Sequence, residues 1–406
     1  MIDLNDLLGQ VWPMAAQPAI PSESVGLNQA LGRVLAQDVR STLNVPQHDN
    51  SGMDGYAVRC ADIQPSRRFQ VSQRVPAGAS PQALQPDTVA RIFTGAPIPP
   101  GADSVVMQEE VVVNEDGSVT FSASPKSGQW IRRAGEDISC GQVVLSQGTR
   151  LDAIHVGLLA SIGVPTVSVN RRLKVGVMVT GSELQSPGKL LQPGQIYNSN
   201  EYVWCGLLEA MHADVRSVGI VPDNFEATCA ALESLADCDA VISSGGVSVG
   251  EEDHVKPAIE KVGQLRSWKV AMKPGKPIAF GHINRQAGGQ SWFFGLPGNP
   301  VSSAVAFQLI VKPFLSLLEG QGLAEVDWRL RVRKVQAAFS WPSPDSRREE
   351  FLRADVQSDK ATLFKNQSSG VLTSLARSSG LIRLAKGQVV HPGDWVEYVS
   401  YQDLMQ

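Results

Sequence analysis

Cysteine is scarce and unpaired in this sequence: Cys60, Cys140, Cys205, Cys229 and Cys238 lie far apart, with no C-x-x-C among them. That pattern excludes a disulfide-stapled scaffold and a cysteine zinc site, and it fits a reducing, cytoplasmic compartment. No apolar run approaches the roughly 20 residues of a membrane helix, so no membrane partner is expected. Met1–Gln10 carries Asp3 and Asp6 but no basic leader, which argues against a secretory signal. An excess of one charge is missing too. The 36 basic and 40 acidic residues give a net charge of −4, which argues against nucleic acid as a partner. An anionic ligand must therefore be met by a local site. The six histidines form no H-E-x-x-H helix, no G-x-G-x-x-G follows a strand, and no complete G-x-x-x-x-G-K-[ST] occurs; Gly176 and Gly181 have its spacing but run into Ser182-Glu183. Gly246-Val-Ser248-Val-Gly250 has the letters of a nucleophile elbow, with His282 or His391 as partners. Ser248, however, follows the expected strand end by several residues, whereas an elbow serine sits on the turn itself.

What is present is length and turn chemistry. The 406 residues, 43% hydrophobic, exceed one compact core and predict about two to four domains. The middle third alternates strands and helices: Leu173–Val179, Asn200–Met211, Val215–Val221, Phe225–Leu235, Ala240–Ser243, Val255–Val262, Trp292–Leu296, and a long apolar helix from Val301 to about Leu318. This is the pattern of a doubly wound, mostly parallel α/β domain. After Asp327, period-2 segments such as Leu330-Arg-Val-Arg, Ala361-Thr-Leu-Phe and Trp395-Val-Glu-Tyr-Val predict a C-terminal small β-barrel. Val45–Trp130 is strand-like and turn-rich, whereas Leu4–Val11, Leu27–Val39 and Asp152–Ile162 read as helical. The domains expected are residues 1–44 plus 131–171, an inserted β-rich domain at 45–130, the α/β domain at 172–322 and the barrel at 323–406.

Ligands of open α/β sheets bind beyond the carboxyl ends of the strands. The residues there are polar and glycine-rich: Thr180-Gly181-Ser182-Glu183, Pro222-Asp223-Asn224, Ser243-Ser244-Gly245-Gly246 leading to Glu251-Glu252-Asp253, and Pro297-Gly298-Asn299-Pro300. Each alone is ordinary turn chemistry. Together, at one edge, they make a pocket whose backbone N–H groups suit an oxyanion. Lys269, Lys273 and Lys276 bracket a Pro-Gly turn beside it; on most hairpins such lysines are merely solvated, but here they stand next to anion-binding loops. Asp54, Asp137, Glu183, Asp223 and Asp253 supply carboxylates for a hard cation such as magnesium.

In these residues the chain resembles the molybdopterin molybdenumtransferases of molybdenum-cofactor biosynthesis, the MoeA family, shared with the E domain of gephyrin. The resemblance rests on Asp49-Asn-Ser-Gly-Met-Asp-Gly-Tyr-Ala57, Thr94-Gly-Ala-Pro97, Gly135-Glu-Asp-Ile138, Thr180-Gly-Ser-Glu183, Ser243-Ser-Gly-Gly-Val-Ser-Val-Gly250, Lys273-Pro-Gly-Lys-Pro277 and Gly295-Leu-Pro-Gly-Asn-Pro300, in the family's order.

The resemblance implies an enzyme that takes adenylylated molybdopterin and molybdate, cleaves the adenylate with Mg2+, places molybdenum on the dithiolene sulfurs and releases AMP. It also implies a homodimer with an active cleft shared between subunits, working beside molybdopterin adenylyltransferase and other proteins of the cofactor pathway. By the same resemblance Glu183 and Asp223 handle metal and nucleotide phosphate, and Asp54 serves molybdate insertion with Asp137 in the same cleft. Lys269, Lys273 and Lys276 stabilise negative charge, with Thr94 as a hydrogen-bond partner. Substrate is held by Thr180, Gly181, Ser243, Gly245, Gly246, Ser248, Asp253, Pro297, Gly298, Asn299 and Pro300. Three positions depart from the family pattern: Ser182 replaces an aspartate, His48 an aromatic residue, and His254 a tyrosine. Two other readings are a stand-alone adenylyltransferase, which resembles only the α/β part, and a pterin-binding scaffold without turnover.

Overall fold

The computed structural model describes residues 1–16, 20–244, 254–285 and 288–405. They form two compact units. The first comprises residues 1–36, 147–152 and 168–406; the second comprises 37–146 and 153–167.

In the first unit, helix α1 (Leu4–Val11) precedes the α/β domain. That domain runs β1 (Lys174–Thr180), α2 (Asn200–Ala210), β2 (Asp214–Val221), α3 (Phe225–Leu235), β3 (Ala240–Ser244), α4 (Val255–Val262), β4 (Gly263–Lys269), β5 (Pro277–Asn284), β6 (Gln290–Leu296) and α5 (Pro300–Leu318). The sheet order is β2-β1-β3-β6-β5-β4. The first four strands are parallel, while β5 and β4 continue the sheet antiparallel. β4 and β5 add to the alternation read from sequence: they are the two arms of the hairpin carrying the lysine turn, with Lys269 opposite Pro277.

β1 and β3 are buried almost throughout because helices cover both faces, which explains their unbroken apolar runs. α1 presents Leu4, Leu7, Leu8 and Val11 to the same core as β1, α5 and the outer wall of the barrel. α5 is long and apolar enough to cross a bilayer, but 89% of it is buried within the protein, and it contains a π-helical turn at Phe307–Val311.

A five-stranded barrel follows: β7 (Arg333–Ala337), β8 (Glu349–Gln357), β9 (Lys360–Leu363), β10 (Gly380–Leu384) and β11 (Trp395–Ser400). It closes in the order β8-β9-β7-β11-β10 and back to β8 around Val335, Leu352, Ala354, Ile382 and Val396.

The second unit is built on a six-stranded sheet ordered Ser104–Met107, Gly55–Val58, Thr88–Ile92, Arg68–Val75, Val119–Phe121, Val111–Val113. Alternate residues of these strands fill two apolar clusters, one around Phe69 and Phe121 and one around Ile92 and Val105. Helix Ala153–Ser161 belongs to this unit.

Two local expectations are corrected. Leu27–Val39 is not a helix: a single 3-10 turn, Leu27–Gln29, gives way to extended bridges of Val34 with Arg150 and Leu35 with Val169. The cause is Gly32, which has φ +75° and lies so close to His212 that a Cβ would fall 2.2 Å from its ring. Leu330–Arg333 is not a strand throughout, because Trp328–Arg331 forms a 3-10 turn and β7 begins at Arg333. Asp327 drives that turn, its Oδ1 accepting the Arg329 backbone N–H at 3.0 Å while its carboxylate holds the Arg329 guanidinium.

Lys312 on α5 is buried, and its Nζ donates to the Leu404 carbonyl at 2.5 Å. Burial, aided by Arg331 and Arg150, pulls its pKa down from 10.5 to about 7. The unfolded chain therefore binds more protons than the folded one between those two values, so this group's contribution to stability rises with pH across that window. Thermal melts of the wild type and Lys312→Met should show the gap between their Tm values shifting in favour of the wild type from pH 7 upward. A pH-independent gap would contradict the assignment.

Candidate functional site

The parallel register places Thr180 of β1 beside Val221 of β2, and Ser244 of β3 beside Leu296 of β6. The carboxyl ends of these strands thus share one edge, as the alternation predicted, and at about 4.8 Å per strand they span roughly 15 Å, the length of an extended nucleotide-sized ligand. Thr180 Oγ1 donates to the Ser244 carbonyl (3.1 Å), tying the ends of β1 and β3 together. Asn200 at the start of α2 donates through Nδ2 to the Gly298 carbonyl (2.8 Å), and its Oδ1 is buried without a partner. Ser243 is fully buried in β3. Glu183 and Asp223 are exposed on the loops after the adjacent strands β1 and β2. Gly245, Gly246, Ser248 and Asp253 lie outside the described residues.

At the β6 end of this edge is a cleft of about 540 Å3. Its α/β wall is the lysine turn, Lys273 to Pro277, with Pro297, Gly298, Asn299 and Ser302 at the start of α5; its barrel wall is Arg348, Gln367, Ser368 and Ser369. Lys273 and Lys276 are brought together here, while Lys269 ends β4 and is not part of the lining. Gly275 has φ +114°, and a Cβ there would press on Met272 at 3.0 Å, so the turn requires glycine. Arg348 and residues 367–369 were not legible in the sequence. They come from barrel loops, and the only signal was the charged run Asp345-Ser-Arg-Arg-Glu-Glu350.

The lysine turn is fixed from two sides. Ile2 donates to the Lys269 carbonyl (3.0 Å) and accepts from Ala271 (2.7 Å). On the other side Met272–Lys273 pairs in parallel with Glu349–Glu350 of β8. Lys273 Nζ donates to Glu350 Oε1 at 2.9 Å, and Glu350, 0% exposed, also accepts from Trp341 Nε1 (2.9 Å) and the Asp345 backbone (3.0 Å) through Oε2. Asp345 in turn holds Arg348 through Nε (2.8 Å) and Nη2 (2.5 Å). Chiefly because of the Arg348 hydrogen bonds, the Asp345 carboxyl is pulled down to about 2. Two of the three cleft cations are thus paired and oriented, and Lys276 is exposed with no ion pair among the described residues.

In the second unit, Asp54 and Thr94 come together. The Thr94 backbone N–H (2.7 Å) and hydroxyl (2.8 Å) both donate to Asp54 Oδ1, and these bonds, the backbone one first, hold the Asp54 carboxyl below its ordinary range. The loop of Asp137 runs beside the Asp54 segment: Asp137 N–H donates to the Val45 carbonyl (3.0 Å), and Asp49 accepts from Ala134 (2.9 Å) and Arg133 (2.5 Å). Among the described residues no group of three or more His, Cys, Asp or Glu side chains is arranged to hold a metal ion.

An α/β domain joined to a closed barrel, with a cationic cleft between them, marks a protein built to hold an anionic ligand. Comparison with known proteins narrows it. Residues 4–163 match the MoeA N-terminal region (domain I and II), residues 176–317 the family described as "Probable molybdopterin binding domain", and residues 334–401 the MoeA C-terminal region (domain IV). The molybdopterin molybdenumtransferase of Haemophilus influenzae is 50% identical over 304 residues, 74% of each chain. That of a Nostoc species is 37% identical over 380 residues, 90% of this chain and 86% of the relative. The crystal structure of the molybdopterin biosynthesis MoeA protein from Pyrococcus horikoshii superposes with a TM-score of 0.83 at 29% identity, covering 99% of this chain and 100% of that one. The chain belongs to the MoeA family of molybdopterin molybdenumtransferases.

Removing Glu350 leaves Lys273, Trp341 Nε1 and the Asp345 N–H without their shared acceptor. Glu350→Ala should cost about 2–4 kcal/mol in denaturant unfolding, because Trp341 Nε1 and the Asp345 N–H lose their acceptor at about 1–3 kcal/mol each, while Lys273, 45% exposed, regains water. A loss below roughly 1 kcal/mol, the range of an exposed pair, would show that the network is not holding the lysine turn.

Proposed function

We propose that the chain inserts molybdenum from molybdate into adenylylated molybdopterin, in a Mg2+-dependent reaction that releases AMP. The observation that carries this reading is the cleft itself: three cations from two domains, serine hydroxyls and the start of a long helix converge on a space suited to a small oxyanion.

Lys273, Lys276 and Arg348 take the oxyanion, with Ser368 and Ser369 as hydrogen-bond partners. Lys269, nearby at the end of β4, adds to the positive field. Thr180, Gly181 and the Pro297–Pro300 loop hold the pterin and phosphate portions along the strand edge, and Ser243, fully buried in β3, backs that edge without reaching the ligand; Gly245, Gly246, Ser248 and Asp253 share in substrate binding by the resemblance alone. Glu183 and Asp223 fit magnesium in the way that ion prefers, through one or two carboxylates completed by water and substrate phosphate. They stand on the loops after the adjacent strands β1 and β2, where a substrate phosphate at the strand edge would complete the coordination. When bound, magnesium would neutralise charge on the scissile phosphates. Fixed cations stabilise the charge that develops as the phosphate–phosphate link opens to water and AMP leaves.

Asp54, kept ionised by Thr94, supplies a carboxylate that can relay the two thiol protons to the oxygen displaced from molybdate, which leaves as water, with Asp137 on the neighbouring loop. By the resemblance the enzyme is a homodimer whose cleft is completed across subunits, and molybdopterin adenylyltransferase supplies its substrate. The five cysteines are all free, in keeping with a cytoplasmic location.

Incubation of the folded protein with adenylylated molybdopterin, molybdate and Mg2+ should release AMP. Lys276→Ala should slow release by about 100-fold, the usual effect of deleting one charge-stabilising donor. A folded wild type that releases no AMP would overturn the reading. Sedimentation should give about twice the 43.6 kDa chain mass; a strict monomer would exclude a cleft shared between subunits.

A further inference from the structure

Behind the barrel wall of the cleft lies a charge that the reaction scheme does not use. Arg353 on β8 is 1% exposed, yet its guanidinium meets no carboxylate among the described residues. Nε donates to Ser374 Oγ (3.1 Å), Nη1 to the Phe351 carbonyl (3.2 Å) and Nη2 to the Ser368 carbonyl (3.4 Å). Its backbone is held as well, since Arg353 N–H donates to Gln367 Oε1 (2.9 Å) and its carbonyl accepts from Gln367 Nε2 (2.8 Å) and the Phe364 N–H (2.9 Å). The adjoining Ser369 carbonyl accepts the Val301 N–H at 3.0 Å, at the start of α5. One residue therefore anchors the segment that forms the barrel wall and, through it, the contact with the opposite wall.

A buried cation with only neutral partners is costly and calls for a compensating use. Burial brings its pKa down only to about 10, so it remains charged at neutral pH. The count of charges around the cleft suggests the use. Of the charges that line the cleft or pair with its lining, Lys273, Lys276 and Arg348 against Glu350 and Asp345 leave one net positive charge; Arg353, behind the wall, adds another, a surplus that suits a tetrahedral dianion.

We propose that Arg353 is a positioning residue of the oxyanion cleft, anchoring the Gln367–Ser369 wall and supplying, from one residue behind it, the second positive charge that selects a dianion over a monoanion. This rests on the reading of the cleft as the oxyanion site.

The test is calorimetric binding of molybdate and of perrhenate, tetrahedral oxyanions of like size that differ by one charge, to the full-length protein. Arg353→Met should weaken molybdate binding about tenfold and perrhenate clearly less, because the Coulomb term scales with ligand charge. Arg353→Lys, which keeps the charge but not the planar fork, should lose much less discrimination between the two anions than Arg353→Met. Equal losses for both anions in Arg353→Met would reduce the residue to a structural part, and unchanged molybdate binding would refute any role. If Arg353→Met does not fold, Arg353→Gln, which retains an amide for Ser374, carries the same comparison. Lys276→Ala separates the two levels of the argument. If it leaves molybdate binding intact, the cleft reading fails; if it weakens binding while the Arg353 variants do not, only the Arg353 inference fails.

Discussion

The carboxylate of Glu350 is the contact on which the cleft depends. It is fully buried, and it accepts from a lysine of the α/β domain, an indole of the barrel and a backbone N–H that starts the turn holding Arg348. Such a pair is a poor source of net stability compared with a well-packed apolar contact. Its value lies in geometry: with three acceptor interactions satisfied at once, the lysine turn has one position relative to the barrel, and both cationic side chains are set before any ligand arrives. The short parallel pairing of Met272–Lys273 with Glu349–Glu350, and the bridge of Ile2 to the same turn, serve the same end.

This arrangement reconciles a nearly neutral protein with an anion site. A net charge of −4 offers no long-range attraction for polyanions. What the fold provides is segregation, with cations facing the cleft and their carboxylate partners seated behind them. Asp345 illustrates the division: its pKa is driven to about 2 by Arg348, so the pair stays ionised at any working pH. The same logic recurs in the second unit, where two donors from Thr94 keep Asp54 ionised without a cation at hydrogen-bonding distance.

Local periodicity was enough for the elements that depend on local periodicity. The helices at Phe225–Leu235 and Val255–Val262 and the edge loops at Thr180–Glu183 and Pro297–Pro300 were legible because apolar spacing and turn residues specify them directly. Leu27–Val39 has helical spacing, but Gly32 turns left-handed against His212, some 180 residues away, and Val34 and Leu35 pair with Arg150 and Val169 instead. Half of the cleft was hidden for a related reason. Lys273 and Glu350 are 77 residues apart, and a barrel strand with ordinary alternation gives no sign that the loops at its ends will meet a lysine turn from another domain. The ordered motifs point to the family, but Arg348, Ser369 and Arg353 join the cleft only through the fold.

The central claim is that the oxyanion of the reaction sits between the lysine turn and the barrel loops. Anomalous diffraction at the molybdenum edge from crystals grown with molybdate locates that ion without reference to activity. A peak is expected within hydrogen-bonding reach of Lys273, Lys276, Arg348 and the Ser368–Ser369 segment. Strong molybdenum density elsewhere on the protein, with this cleft filled only by water, would contradict it.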